Sequence, residues 1–156
     1  MTIFLCEVPW RPFLVVIWAA TAALWDFRFR RLPNLLTLGG AGVAVVHLLV
    51  YGSSILGASP ASASAAGVGA FFVLLPFYRL GWLGAGDVKL MLAIGFLGGV
   101  DVLLITFVIS GVLTLPFALW SDLQRRRRRE PSQAAHARLP QGVFLGLGLM
   151  FATLAN

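Results

Sequence analysis

Acidic residues are scarce in this chain. Glu7, Asp26, Asp87, Asp101, Asp122 and Glu130 are the only six among 156 residues, against 12 Lys and Arg, for a formal net charge of +6. Charged residues total only 12% and hydrophobic ones reach 59%, whereas a soluble domain carries about a quarter charged and about half apolar residues. That balance argues against a water-soluble domain, and disorder is excluded because it needs low hydrophobicity. One cysteine, Cys6, excludes a disulfide framework or a multi-cysteine zinc module. With no histidine nearby, Cys6 is a poor nucleophile candidate. His47 and His136 are far apart and offer no metal-ligand spacing. The run Gly39-Gly40-Ala41-Gly42 is apolar and follows no strand, so it is not a phosphate loop.

What the chain has in abundance is apolar runs. A membrane helix takes about 20 mostly apolar residues, and six such spans can be drawn. They are Phe13–Trp25 (from near Pro9 if Arg11 snorkels outward), Leu35–Tyr51, Ala61–Tyr78, Gly84–Val100, Val102–Trp120 and Gly142–Ala155. Six spans leave room for short loops alone. The expectation is therefore an all-α, polytopic bundle of six transmembrane helices forming a single domain over residues 1–156. Arginines collect in alternate loops: Arg28, Arg30 and Arg31, then Arg79, then Arg125 to Arg129 with Arg138. Gly52–Pro60 and the turn expected at Asp101 carry none. Because Lys and Arg mark cytoplasmic loops, these loops face inward and both termini outward. The N-terminus lacks the basic region and small-residue cleavage site of a signal peptide. Pro33 interrupts the chain, and Asn34 is positioned to cap the second helix. Ala58, Ser62, Ala66 and Ala70, the pair Gly95 and Gly99, and the pair Gly142 and Gly146 recur at four-residue spacing, which lets helices pack closely in lipid.

An ionisable group inside a membrane helix is costly and is a functional candidate by default. Glu7 and Asp101 fall at outer ends of spans, while Asp122 and Glu130 bracket the arginine run. Asp26, ending the first span, and Asp87, opening the fourth, remain, and the topology places both near the cytoplasmic face. Two carboxyls sharing one desolvated site can hold a single proton between them. One then draws a proton from water while the other donates to a carbonyl oxygen, which is the apparatus for hydrolysing a peptide bond. On burial cost alone, simple anchoring serves equally well, with Asp26 paired to Arg28 or Arg30 and Asp87 to Lys89.

The residues around each aspartate separate these readings. Gly84-Ala85-Gly86-Asp87-Val88-Lys89-Leu90 resembles the GxGD motif of intramembrane aspartyl proteases, in the extended GxGDxKL form of type IV prepilin peptidases. Asp26-Phe27-Arg28-Phe29-Arg30-Arg31-Leu32-Pro33-Asn34 is similar to that family's other aspartate box, and Leu139-Pro140-Gln141-Gly142 to the segment opening its last helix. The resemblance implies Asp26 and Asp87 as the catalytic pair, with Gly84, Gly86, Lys89, Pro33 and Asn34 as supporting or substrate-binding residues. Gly84 and Gly86 would let a substrate backbone approach without Cβ interference. Lys89, two residues from Asp87, points elsewhere on a regular helix and suits orientation or headgroup contact. Many prepilin peptidases carry a further region with paired CxxC motifs associated with methylation. With one cysteine and no room for that region, the chain resembles the short, peptidase-only form of Flp-type (tight-adherence) pilus systems. The implied partner is a prepilin-like precursor with a short basic leader, cut at the cytoplasmic face of the inner membrane without metal or organic cofactor.

A small proton- or ion-coupled transporter using Asp26 and Asp87 as relays is the competing reading. A non-enzymatic membrane subunit of a secretion assembly is a third. Nucleic acid is not an expected partner. The Arg125–Arg129 run suits a topology anchor on anionic lipid, at about 1 kcal/mol per residue near the surface. The loop charges make topology testable. In a Cys6→Ser background, a cysteine at Ser132 should label only when the cytoplasmic face is opened, and one at Ser54 from outside. Labelling of both from one side would remove a span from the bundle.

Overall fold

The computed structural model describes residues 10–29, 32–80, 83–128 and 141–155. These form five helices: α1 (Trp10–Phe29), α2 (Asn34–Tyr51), α3 (Pro60–Arg79), α4 (Ala85–Arg128) and α5 (Gln141–Ala155). The class is all-α, as expected. The helix count is five rather than six, because the fourth and fifth expected spans run together as α4 with a break at Gly99 and no loop between them, and Asp101 lies exposed just past that break. Four helices are long and apolar enough to cross a membrane: α1, α2, α3 and Ala85–Pro116 of α4; the apolar stretch Gly142–Leu154 in α5 is shorter. Large apolar side chains such as Phe13, Leu49, Phe72 and Leu115 stand exposed on the outside, a surface suited to lipid and not to water.

The helix boundaries follow local chemistry. Gly52 ends α2 in a left-handed conformation, φ 66°, its N–H donating to the Leu48 carbonyl. Ser59 caps α3, accepting from the Ser62 N–H, with Pro60 following at the first helical position. Asn34 does not cap α2 with its side chain; Pro33 occupies the cap position and its carbonyl accepts from Leu36 and Thr37.

A straight helix of 44 residues would run for about 66 Å, twice the roughly 30 Å of a bilayer's hydrocarbon core. Instead α4 breaks at Gly99, where φ is 77° and ψ −168°. Asp87 and Thr114 would lie about 40 Å apart on a straight helix, yet they line one cavity. The chain therefore doubles back near Gly99. Two of the backbone groups freed there find partners: Leu97 O accepts from the Leu56 N–H, and the Val100 N–H donates to Ser62 Oγ.

Small residues line two close seams between helices. A Cβ at Gly95 would fall 2.5 Å from the Gly67 nitrogen, and one at Gly99 2.7 Å from Ala58 Cβ. Thus the small-residue ladder of α3 meets Gly95 and Gly99. Across the bundle, a Cβ at Gly146 would lie 2.8 Å from Ala23 Cβ in α1. Between these seams Leu90, Ile94 and Leu149 are fully enclosed. Arg125 to Arg128, expected in a loop, continue α4; Arg129 and Arg138 lie outside the described residues. Ser54 is buried and its hydroxyl accepts from the Ala58 N–H, so half-buried Ser53 is the better labelling site.

Gly95→Ala should lower stability in detergent by about 1–3 kcal/mol, because α3 backbone cannot yield to the added methyl. Gly42→Ala, where a Cβ meets nothing within 4 Å, should hold or raise stability through helix propensity, by at most about 1 kcal/mol. Equal effects in a denaturant or thermal titration would contradict the packing described.

Candidate active site

Four helix ends converge at one end of the bundle. The last turn of α1 carries Asp26, the first turn of α4 carries Asp87, and the starts of α2 and α5 lie alongside. Asp26 is buried, 7% exposed. Its carboxylate accepts from the backbone N–H groups of Val143 and Gly142 in the first turn of α5. Those donors have no partner within their own helix, and their end of the helix favours negative charge. A Cβ on Gly142 would sit 2.8 Å from Asp26 Oδ2, so the contact depends on glycine there. Asp26 Oδ2 itself is buried with no hydrogen-bond partner, an arrangement that carries a desolvation cost.

Asp87 is held differently. Its Oδ2 accepts from the Gly84 N–H at 3.2 Å, while its own N–H donates to the Gly84 carbonyl at 3.1 Å. This is the reach-back half of a capping box, with Gly84 as cap and Asp87 three residues on. A Cβ at Gly84 would lie 2.9 Å from Asp87 Oδ2, and one at Gly86 3.2 Å from Leu32 Cβ. Both glycines thus serve internal contacts: Gly84 admits the carboxylate and Gly86 admits Leu32. The structure brings the two aspartates close enough for their charges to act on one another.

The supporting residues fall into one contact set. Lys89 Nζ donates to Asn34 Oδ1 at 2.8 Å, so Lys89 turns to α2 and is not the partner of Asp87. Leu32 and Asn34, which follow Asp26 in the chain, are therefore both docked on the turn that presents Asp87. Pro33 holds the start of α2 between them.

Beside Asp87 opens a cavity of about 150 Å³. Leu74, Met91, Phe107 and Leu145 form apolar walls, and Ser110, Gly111 and Thr114 form one side. Sequence reasoning missed this side; its signal was three hydroxyl residues at four-residue spacing, Thr106, Ser110 and Thr114, in an otherwise apolar span. Among the described residues no group of three or more His, Cys, Asp or Glu is placed to hold a metal ion.

This arrangement offers two interacting carboxyls, backbone donors and an adjoining cavity. A family model described as the type IV leader peptidase family matches residues 13–119, a stretch that includes both aspartates and excludes α5. No curated protein and no solved structure matches the chain. The family match covers more than half of the sequence, and with it the chain belongs to the type IV leader peptidase family.

Proposed function

We propose that this membrane peptidase is an aspartyl endopeptidase that removes the short basic leader of prepilin-like precursors, cutting at the cytoplasmic face of the inner membrane. The observation that carries the reading is the convergence of Asp26 and Asp87, from opposite sequence boxes, on one end of the bundle with their charges interacting. Exposed Arg28 at the end of α1 and Arg79 at the end of α3 border that same end. Positive charge there supports a cytoplasmic placement.

A water between the carboxyls gives up a proton to the ionised one as its oxygen attacks the scissile carbonyl. The protonated carboxyl donates to the carbonyl oxygen, forming a neutral gem-diol. Collapse breaks the C–N bond, with a proton passing to the departing amine and the pair returning to one shared proton. Gly142 and Val143 N–H groups keep Asp26 fixed through the cycle, and Gly84 does the same for Asp87. Preorganisation of this kind spares reorganisation in the transition state.

Asp26→Asn and Asp87→Asn should each lower precursor cleavage by about a thousandfold or more while preserving membrane insertion. The double variant should be no worse, since groups acting as a unit are strongly non-additive. Asp101→Asn, on the exposed face of α4, is the charge-loss control and should cleave normally. Near-normal cleavage by either single Asn variant would falsify the pair.

The Lys89–Asn34 hydrogen bond predicts a coupled loss. Lys89→Met and Asn34→Leu should each slow turnover by roughly three- to tenfold, at the scale of an ordinary intramolecular hydrogen bond, as befits an exposed one. Combining them should add little more, as contacting residues couple. Multiplying losses in kcat would show that the two side chains act independently.

A further inference from the structure

Among the described residues, two buried side-chain oxygens have no hydrogen-bond partner, Asp26 Oδ2 and Thr106 Oγ1. Buried polar groups are otherwise paired, because losing hydration without a replacement bond destabilises the fold. Thr106 also departs from the other threonines. Thr21, Thr37, Thr114 and Thr153 each donate to a carbonyl of the preceding turn, whereas Thr106, fully enclosed in α4, makes no such bond. Its methyl lies on the side of Gly148 in α5, so its hydroxyl is turned to another side. One helix touches both unpaired groups. Gly142 of α5 meets Asp26 and Gly148 meets Thr106, six residues or about 9 Å apart along the axis. Leu145, midway between them, is a wall of the cavity beside Asp87. Along α5, the cavity thus falls between the unpaired hydroxyl and the carboxyl pair.

The polar side of the cavity continues from Thr106. Ser110 and Thr114 follow at four-residue spacing on the same face of α4, and both line the cavity. Ser110 Oγ donates to the Phe107 carbonyl at 3.0 Å, and Thr114 Oγ1 to the Ser110 carbonyl at 2.6 Å. With their protons committed, these two oxygens can only accept, and Thr106 alone of the three keeps a free proton. Side chains at this spacing stand about 5–6 Å apart, a gap that one water bridges. The volume of about 150 Å³ exceeds what a single water needs. The facing walls of Leu74, Met91 and Leu145 offer water no other partner.

We infer that Thr106, Ser110 and Thr114 hold a file of water molecules ending at Asp87, and that the water consumed in hydrolysis is drawn from it. The hydrolytic role rests on the peptidase reading of Asp26 and Asp87. Thr106 donates to the first water, and each water donates onward to the next hydroxyl oxygen or water. The last donates to the ionised carboxyl, which leaves one of its lone pairs free to attack the scissile carbonyl. Each bond cut takes one water, and the file advances by one at a depth where water is scarce. Thr106 is therefore a positioning residue that acts through the water and not by touching substrate.

The test uses the full-length protein in detergent, in excess over a cleavable precursor. Thr106→Val should slow single-turnover cleavage by about tenfold, at the scale of one lost hydrogen bond, with an unchanged half-saturating protein concentration. Its thermal midpoint should hold or rise, since a methyl of the same shape replaces an unpaired hydroxyl. Thr106→Ser keeps the hydroxyl and should cleave at close to the unmodified rate. Unchanged cleavage in Thr106→Val overturns the file, and so does an equal loss in Thr106→Ser, which would mark a packing role. A second measurement needs no turnover. Millisecond X-ray radiolysis converts bound water to hydroxyl radicals, which oxidise the nearest side chains. Met91, only 4% exposed and part of the cavity wall, should be oxidised in the unmodified protein, and Thr106→Val or Ser110→Ala should suppress that label. An unlabelled Met91 overturns the file, as does a label that neither substitution changes, which would mean water entering from bulk. If no precursor is cleaved, the peptidase reading falls instead, and the Met91 label alone decides whether the file is there.

Discussion

A carboxylate can be buried among membrane helices only if something replaces its water. For Asp26 the replacement is the first turn of α5, whose Gly142 and Val143 N–H groups donate to it. The contact needs a backbone without a Cβ at position 142, and it fixes where α5 begins. Once that end is set, Gly146 meets Ala23 and the helix lies along α1, while Gly148 brings its other side against the Thr106 backbone of α4. Leu145 and Leu149 are then enclosed, and Leu145 becomes part of the cavity wall beside Asp87. One carboxylate-to-helix contact therefore positions a short helix that touches both halves of the site.

The break at Gly99 has comparable reach. A continuous helix would carry Ser110 and Thr114 far from Asp87, and no cavity would exist. Folding back near a residue with φ 77° costs glycine little and other residues considerably more. The freed backbone groups must still find partners at a depth where water is scarce. Ser62 Oγ and the Leu56 N–H supply two of them. The small-residue ladder on α3 thus both packs against Gly95 and Gly99 and repairs the break, which ties the far end of the bundle to the end where the aspartates lie.

Much of this was legible in the residues. Apolar runs gave the helical class, and the span expected at Leu35–Tyr51 is α2 to within one residue. The cost of burying charge singled out Asp26 and Asp87, and four-residue spacing of small side chains located the tight seams. The reversal in α4 is expected as a turn at Asp101 and falls two residues earlier, as a break at Gly99 with no loop, since hydropathy does not distinguish a one-residue break from a turn. Asn34 was expected to cap α2, since its type and position suit a cap; a lysine far along the chain takes its side chain instead. The nearest atoms that Gly84 and Gly86 admit belong to Asp87 and Leu32, contacts that sequence does not disclose. Long-range contacts such as these leave no periodicity to detect.

On the proposed reading, the placement of the aspartates also suits what hydrolysis needs. Water and unpaired backbone donors are both scarce midway along a membrane helix, where every N–H is bonded within the helix. They occur together at helix ends. Here the starts of α2, α4 and α5 and the finish of α1 lie at one end, and two of those N-termini, each favouring negative charge, meet a carboxyl: α5 at Asp26 and α4 at Asp87. Asp26 is buried against one of them, whereas Asp87, less enclosed, opens on the cavity. The two carboxyls therefore have unequal surroundings, one held by α5 and one bordering a cavity. A peptide approaching this end must itself offer an unpaired carbonyl, and a helix offers one only where it ends or is unwound. On the proposed reading, the junction between an extended leader and an apolar helix would meet that requirement, whereas an unbroken helix presents its carbonyls already bonded.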